Sequence, residues 1–196
     1  CRWRSIYVCT MKQGVKHRVV IPNPVGRIRV TRGRKTKKSR YTIAVIGRWT
    51  RIKNFQAFLT LHEQLIEEQW PHRAIMVTSY WDKKFSIPET VEQKDAMSQE
   101  ELRIFYRSID LLIVPSKFET FCNVAAEAII HGCSVLVSEN VGFAEVLKRA
   151  GLGRMVIPSF DDPTAVAIAV KRLARTKLAK KELDAVARIV DPQEVH

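Results

Sequence analysis

Two carboxylates flank the predicted start of a helix in the second half of the chain. Glu119 follows the apolar segment 111–114, and Glu127 lies about one turn into a helix that Asn123 is predicted to open and Gly132 to close. The N–H groups and the positive dipole end of such a helix start suit a phosphate. We therefore expect both acids to face one cleft that binds a nucleotide sugar.

Two cations follow another apolar segment. Residues 41–46 are predicted to form a strand, and Gly47, Arg48 and Lys53 come after it. Gly47 permits a tight turn, while Arg48 as a bidentate fork and Lys53 as a point charge can converge on one diphosphate. Basic residues after a strand are common in a chain of net charge +13, so this motif alone indicates little.

Glu127 is expected to need hydrogen-bond partners. The other residues of segment 124–130 are apolar, so the helix should be largely buried, and a buried carboxylate is costly unless it is hydrogen-bonded. Ribose hydroxyls are suitable partners. The alternative is a solvated helix glutamate, which is the usual fate of this residue type.

Apolar runs of strand length alternate with segments of helical period. This order predicts an α/β fold, a Rossmann-like parallel sheet with helices on both faces. Ligands bind at the carboxyl ends of such strands, where Gly47, Ser116 and Ser138 fall. The predicted strands are 17–21, 41–46, 73–78, 110–114, 134–137 and 154–157. The predicted helices are 54–68, 98–107, 123–131, 142–149, 163–175 and 178–189.

The motifs and their order resemble the C-terminal, donor-binding half of retaining glycosyltransferases of the GT-B fold, family 4. Segment 21–26, Ile-Pro-Asn-Pro-Val-Gly, resembles the end of that family's N-terminal domain. Gly47-Arg48 with Lys53 resembles the loop after the first strand of its second domain. Segment 97–116 resembles the helix and strand that lead to its active site, and the two glutamates match its E-x7-E signature.

The resemblance implies a role for each matching residue. Arg48 and Lys53 would bind the diphosphate and stabilise the charge that develops on the leaving nucleotide. Glu119 would contact hydroxyls of the donor sugar, and Glu127 would bind the ribose. We predict Arg48, Lys53 and Glu119 as the catalytic residues. The backbone N–H groups that would cradle sugar and phosphate are those of Phe121, Cys122, Asn123 and Val124.

The resemblance also implies how the chemistry proceeds. The family requires no metal and no cofactor, and a UDP-sugar is the expected donor. The incoming hydroxyl attacks the face that the nucleotide leaves, so Glu119 is not assigned as a nucleophile.

The chain departs from the family pattern in two places. Where the family commonly has Glu-Gly-Phe-Gly, residues 119–122 read Glu-Thr-Phe-Cys, so two permissive glycines are lost and the donor loop is expected to be tighter or differently shaped. Segment 78–81 replaces the family's glycine-rich turn after the second strand. The donor sugar and the nucleotide base are therefore left open.

A basic run separates the two predicted parts of the chain. Between residues 27 and 40, eight of fourteen positions are Lys or Arg and none is acidic. The run has no apolar period, which favours an exposed connector, and an anionic membrane surface is a second interpretation. Nucleic acid is not expected, because no aromatic residue is interleaved to stack on bases. The four cysteines and five histidines lack metal-site spacing, and reduced thiols are expected.

The predicted organisation is a remnant of the N-terminal domain and crossover at 1–26, a basic connector at 27–40 and a nucleotide-sugar-binding domain at 41–196. The expected function is donor binding for transfer of a hexose-type sugar to a glycan or glycolipid acceptor, in bacterial surface polysaccharide synthesis. The expected location is cytoplasmic, with peripheral attachment at the inner face of the membrane.

An acceptor domain does not fit into the fewer than thirty residues before the basic run. The chain alone is therefore expected to bind donor but transfer little sugar. One alternative is a basic binding module for anionic membrane or nucleic acid on an α/β scaffold. Another is a degenerate domain that has kept its fold and lost its ligand.

Overall fold

Six parallel strands form one sheet in the part of the chain that the structure describes. The computed structural model describes residues 40–78 and 86–190, so the predicted strand 17–21, the segment 1–26 and the basic run up to residue 39 lie outside it. The strand order is β3-β2-β1-β4-β5-β6, and every pairing is parallel, which confirms the predicted Rossmann-like α/β fold. The strands are β1 (Tyr41–Ile46), β2 (His72–Val77), β3 (Val91–Lys94), β4 (Leu111–Val114), β5 (Ser134–Ser138) and β6 (Val156–Ile157).

Helices cover both faces of this sheet. The described helices are α1 (Phe55–Glu67), α2 (Gln99–Ser108), α3 (Asn123–Ile130), α4 (Phe143–Arg149), α5 (Pro163–Ala174) and α6 (Lys180–Val190). Helix α1 packs against α5, whereas α3 packs against α2 and α6, and α6 also contacts α4. The chain moves outward from β1 to β2 in one direction and from β4 to β6 in the other. Because parallel crossovers are right-handed, α1 lies on one face and α3 and α4 on the opposite face. Within the described ranges, each helix is too short or too polar to cross a bilayer.

Local sequence fixes where several helices begin. Ser98 forms a capping box with Glu101: its hydroxyl accepts from the Glu101 backbone N–H, and the Glu101 carboxylate accepts from the Ser98 N–H at 2.7 Å. Asp162 caps α5 by accepting from two backbone N–H groups, and Pro163 occupies the first helical position, where its fixed φ suits a helix. These caps explain why the predicted starts of both helices agree closely with the observed ones.

Strands β1 and β4 are neighbours, and the connections that follow them lead to opposite edges of the sheet. Ile43 pairs with Leu111, and both side chains are fully buried. Because the chain leaves β1 toward one edge of the sheet and leaves β4 toward the other, a crevice forms between the carboxyl ends of these two strands. Sheets of this kind bind ligands at that place. The loop that contains Gly47 follows β1, and the loop that contains Ser116 follows β4.

Strand β3 was not predicted. Its residues, Val-Glu-Gln-Lys, show no apolar run, because among the described strands β3 lies at the edge and pairs only with β2. The Glu92 carboxylate pairs with Arg73 on β2 and with Lys94, which offsets the polar character of this edge. The predicted strand 154–157 was also too long, since a 3-10 turn at Gly153–Met155 precedes β6.

Candidate functional site

An ion pair joins the two loops at the crevice between β1 and β4. The ammonium Nζ of Lys53 lies 2.8 Å from Oε1 of Glu119. Both side chains are partly buried, with 29% and 15% of their surfaces exposed, so the pair is partly shielded from solvent. The structure therefore brings together one predicted cation and one predicted carboxylate from residues far apart in the sequence.

Two serine hydroxyls support the Glu119 carboxylate. The buried Ser116 hydroxyl donates to Oε1 of Glu119 at 2.6 Å, and the Ser138 hydroxyl at the end of β5 donates to the Ser116 carbonyl at 3.0 Å. Burial and the negative charge of Glu119 raise the pKa of Cys122, so its thiol stays protonated. Ser116 was given no role from the sequence. A serine three residues before a site glutamate was the available signal.

The loops after β1 and β4 are also joined through backbone groups. The side-chain amide of Asn54 donates to the Pro115 carbonyl at 3.2 Å, and the N–H of Lys117 donates to the Ile52 carbonyl at 2.8 Å. Lys53 lies between Ile52 and Asn54. The position of its ammonium is therefore set by contacts on either side.

A third loop, after β5, packs against the segment that carries Glu119. The N–H of Gly142 donates to the Glu119 carbonyl at 3.0 Å, and the N–H of Phe143 donates to the Phe121 carbonyl at 2.8 Å. A Cβ at Gly142 would lie 1.9 Å from the Thr120 carbonyl oxygen, so only glycine allows this approach. The Phe121 and Phe143 rings add an edge-to-face contact at 5.6 Å.

Cys122, not Asn123, is the N-cap of α3, which corrects the sequence analysis. Cys122 has φ 85° and ψ 76°, a left-handed conformation that is rare for residues with a side chain, and α3 begins at Asn123. Asparagine is a favoured cap type, but the preceding turn already starts the helix one residue earlier. Phe121 and Cys122 are buried, Asn123 is exposed and Val124 is half-buried beside the crevice. The predicted closing residue, Gly132, does adopt a positive φ of 80°.

Gly47 and Arg48 directly follow strand β1. Gly47 has φ 148°, which confirms the predicted turn, and its N–H donates to the Val77 carbonyl on β2 at 3.0 Å. Arg48 is exposed directly after this turn. Arg48 and Lys53 lie on one loop, as the sequence predicted. Of these two cations, Lys53 is the one that contacts Glu119.

Glu127 contacts helix α2. The Tyr106 hydroxyl donates to Oε2 of Glu127 at 3.1 Å, and Tyr106 is 1% exposed. Burial raises the pKa of Glu127, while this hydrogen bond and the charge of Arg103 lower it in part. The expected need for a partner is met within the protein for one carboxylate oxygen. Tyr106 was given no role from the sequence.

This arrangement has defined chemical capacities. The Lys53 ammonium and the Arg48 guanidinium are suited to phosphate oxygens, and the start of α3 offers backbone N–H groups with a positive dipole end. The carboxylates of Glu119 and Glu127 are acceptors for hydroxyl groups. A polyhydroxylated, phosphorylated ligand satisfies both kinds of group.

The sequence matches a known family over most of the described chain. Residues 40–176 match the family model described as "Glycosyl transferases group 1". The chain is 35% identical over 74 residues to an uncharacterised glycosyltransferase of Methanocaldococcus jannaschii, covering 38% of this chain and 18% of that protein. It is 23% identical over 175 residues to an uncharacterised 41.2 kDa protein in the cps region of Klebsiella pneumoniae, covering 82% of this chain and 47% of that protein. The chain thus spans less than half the length of either relative.

Solved structures share the fold. Sucrose-phosphate synthase from Thermosynechococcus elongatus superposes with a TM-score of 0.65 at 20% identity, over 79% of this chain and 42% of that one. The C-terminal domain of a glycosyl transferase group 1 protein (LpcC) from Francisella tularensis superposes with a TM-score of 0.63 at 17% identity. The match covers 78% of this chain and 87% of that one.

An E. coli trehalose-6-phosphate structure bound with UDP-2-fluoro glucose gives a TM-score of 0.57 at 17% identity, over 77% of this chain and 40% of that one. These superpositions show a shared Rossmann-like fold of the kind found in GT-B glycosyltransferases. Taken with the match over residues 40–176, they lead to one conclusion: the chain belongs to the group 1 glycosyltransferases.

Proposed function

We propose that this chain is the donor-binding domain of a retaining, metal-independent glycosyltransferase of family 4. The observation that carries the proposal is the contact of Lys53 with Glu119 at 2.8 Å across the β1–β4 crevice, beside the start of α3. A cation for phosphate and a carboxylate for hydroxyls are held there side by side by core elements. This pairing matches the two ends of a nucleotide sugar.

In this proposal the cations act on the diphosphate. Arg48 reaches it from the exposed side and Lys53 from within the crevice, and both stabilise the negative charge that develops as the bond from the sugar to the nucleotide breaks. Two fixed positive charges supply the stabilisation that a metal ion provides in other transferases. The N–H groups of Phe121, Cys122, Asn123 and Val124 add neutral donors at the helix start.

The carboxylates act on hydroxyl groups. Glu119, fixed by Ser116 and Lys53, accepts hydrogen bonds from hydroxyls of a hexose-type sugar. Glu127, with one oxygen held by Tyr106, accepts from the ribose. The expected donor is a UDP-sugar, which the fold shared with a structure bound with UDP-2-fluoro glucose supports.

We place the acceptor among glycans or glycolipids of bacterial surface polysaccharide synthesis, in contact with an N-terminal domain. The match to a protein in the cps region of Klebsiella pneumoniae supports the bacterial setting. We further propose that the enzyme works on the cytoplasmic side and that the run Arg27–Arg40 attaches it peripherally to anionic lipid. Each basic residue near such a surface contributes about 1 kcal/mol.

Calorimetric titration with UDP-, GDP- and ADP-sugars tests the donor site. One nucleotide class is expected to saturate the full 196-residue chain. Arg48→Ala and Glu127→Gln should each weaken that binding about tenfold or more, because each removes a charged hydrogen-bonding group. Arg149→Ala is the matched control: it removes an exposed arginine at the far end of α4 and should leave the affinity unchanged.

The same titration at two salt concentrations separates the proposal from the basic-module alternative. Donor binding should survive moderate salt and depend on the two site residues. Binding carried by the Arg27–Arg40 run would fall steeply with salt and be indifferent to both variants. Absence of binding to every nucleotide sugar would contradict the donor-site proposal.

A further inference from the structure

A buried tyrosine lies behind the second site carboxylate. Tyr106 is on α2, outside the crevice loops, and its hydroxyl oxygen lies 3.1 Å from Oε2 of Glu127 on α3. Tyr106 is 1% exposed, whereas Glu127 is half-buried. One oxygen of the carboxylate is thus held by a buried hydroxyl, while the Glu127 side chain is only partly covered by the protein.

The hydrogen bond has a fixed direction. Burial and the neighbouring Glu127 charge raise the pKa of Tyr106 well above its usual range, so the phenol stays protonated and donates. An ionised carboxylate has about four acceptor positions, so one bond from Tyr106 leaves room for a vicinal pair of hydroxyls. The same bond favours the ionised form of Glu127 against the effect of burial.

The ring of Tyr106 is itself held in place. It stacks on the imidazole of His131 with centroids 6.0 Å apart and planes 11° from parallel. His131 follows α3 directly, so the stack ties α2 to the far end of the helix that bears Glu127. The hydroxyl is therefore pre-positioned before any ligand arrives, which lowers the cost of ordering the carboxylate on binding.

We propose that Tyr106 is a positioning residue that orients Glu127 toward the ribose diol, so that the site distinguishes ribonucleotides from nucleotides without the 2′ and 3′ hydroxyls. This inference rests on the proposed donor site. Tyr106 lies on α2, a different helix from the one that bears Glu127, and would set specificity for the ribose of the donor.

The test compares a nucleotide with its dideoxyribose analogue. The full chain is titrated with whichever of UDP, GDP and ADP binds most tightly, and with the 2′,3′-dideoxy form of the same nucleotide. Tyr106→Phe keeps the buried ring and removes only the hydroxyl. It is expected to weaken binding of the ribonucleotide about tenfold, the effect of one hydrogen bond to a charged group, and to leave binding of the dideoxy form within about twofold.

Two further variants support the comparison. Tyr41→Phe removes the hydroxyl of a partly buried tyrosine at the amino end of β1, away from the crevice, and should change neither affinity. His131→Ala removes the stacking partner of Tyr106 and should reduce ribose discrimination by a smaller factor. This variant keeps the proposal testable if Tyr106→Phe does not fold, which thermal unfolding will show.

Each outcome decides between the two proposals. If the wild type prefers the ribonucleotide over its dideoxy form and Tyr106→Phe keeps that preference in full, the role of Tyr106 is overturned. The proposed donor site then stands. An equal loss for both nucleotides would show a merely structural role and also overturn the inference. A wild type that binds nucleotide without ribose discrimination would overturn both the inference and the assignment of Glu127 to ribose.

Discussion

At the residue scale, Cys122 stands out because it adopts a left-handed conformation with a side chain. The family commonly has glycine at residues 120 and 122, and the sequence analysis treated both losses alike. Among the described non-glycine residues, positive φ occurs at Asn54, Gln69 and Cys122, so Thr120 is not one of them. Only the second lost glycine imposes a backbone cost. Burial of the thiol offsets part of that cost.

Paired substitutions at Cys122 measure this cost. Cys122→Ala and Cys122→Gly both remove the thiol, but only glycine adopts φ 85° without strain. We expect the glycine variant to be more stable than the alanine variant by about 1–2 kcal/mol, the penalty for a left-handed residue with a Cβ. Urea unfolding of both variants gives the difference. Equal free energies of unfolding would show that the loop relaxes and stores no strain.

The charged residues of the candidate site were proposed from the sequence, whereas the hydroxyl groups that contact them were not. Lys53 and Glu119 were singled out from spacing and resemblance, and the structure pairs them. The wrong cap at Asn123 arose because cap preference ignores the conformation of the preceding residue. Ser116 was named only for its place at a strand end and Tyr106 was given no role, since a buried hydroxyl has no sequence pattern that distinguishes a site partner from an ordinary core residue.

At the element scale, the three loops at the carboxyl edge form one unit, and Gly142 sets their closest approach. Its N–H bonds to the Glu119 carbonyl while its Cα faces the Thr120 carbonyl. The φ of Gly142 is −56°, so the demand for glycine comes from space and not from backbone conformation. The position of Glu119 therefore depends on a residue of the β5–α4 connection.

Alanine at Gly142 tests this dependence. The added Cβ would lie 1.9 Å from the Thr120 oxygen, which forces the two loops apart. We expect a loss of stability of about 1–3 kcal/mol, as for overpacking, together with weaker donor binding. Gly153→Ala is the control, because a Cβ there meets nothing within 4 Å, and it should change stability by less than about 0.5 kcal/mol. Unfolding curves and donor titration of the two variants are compared, and similar effects would argue against the close approach.

Element prediction succeeded where burial on both faces requires apolar runs and failed at the edge. Strands β1, β2, β4 and β5 were predicted within one or two residues because their side chains are packed on both sides. Strand β3 exists because β2 offers it a hydrogen-bonding partner. That tertiary cause leaves no periodicity in its own four residues.

At the scale of the whole molecule, a pair formed by the buried His62 and the half-buried His72 links α1 to β2 and to the residue before β3. His62 Nδ1 lies 2.8 Å from His72 Nε2, His62 Nε2 lies 2.8 Å from the Thr90 hydroxyl, and His72 Nδ1 lies 2.8 Å from the Trp70 carbonyl. The Trp70 carbonyl can only accept, so His72 Nδ1 donates to it. With both rings neutral, His62 Nδ1 donates to His72 Nε2, and the Thr90 hydroxyl donates to His62 Nε2. A second proton on both rings would set two N–H groups against each other.

Stability should therefore fall as the solution is acidified below about pH 6.5, the ordinary histidine value. Burial and the neighbouring His72 lower the pKa of His62 to about 4, and burial also lowers the pKa of His72. Between the ordinary histidine pKa and the lowered pKa values of the folded state, these histidines bind protons in the unfolded chain but not in the folded one. Each such group contributes a slope of up to about 1.4 kcal/mol per pH unit.

Chemical unfolding between pH 8 and pH 4.5 measures this slope, with His62→Gln for comparison. The variant is expected to be less stable at pH 8 but to lose less on acidification, because one of the two coupled groups no longer titrates. His131, whose pKa is also lowered by burial, remains in both proteins and contributes equally. Parallel stability curves for the two proteins would exclude the histidine pair as the source.

The sheet class followed from the alternation of strands and helices, but the strand order did not. The order β3-β2-β1-β4-β5-β6 depends on which edge each crossover returns to, and no pattern of hydrophobicity encodes that choice. The crevice that brings Lys53 to Glu119 is a product of this order. Its location could be named from the sequence only as a sheet edge.

The ion pair of Lys53 with Glu119 has a consequence for turnover under the proposed function. A diphosphate that draws the ammonium toward itself leaves Glu119 in need of new hydrogen bonds, and the hydroxyls of an intact donor provide them. The released nucleotide carries no sugar, so it draws the lysine away and leaves the partly buried Glu119 carboxylate with the Ser116 hydroxyl but without its counter-charge, which is unfavourable. The site would thus hold its substrate more tightly than its leaving group, and product inhibition would be reduced by the same contact that recognises the donor.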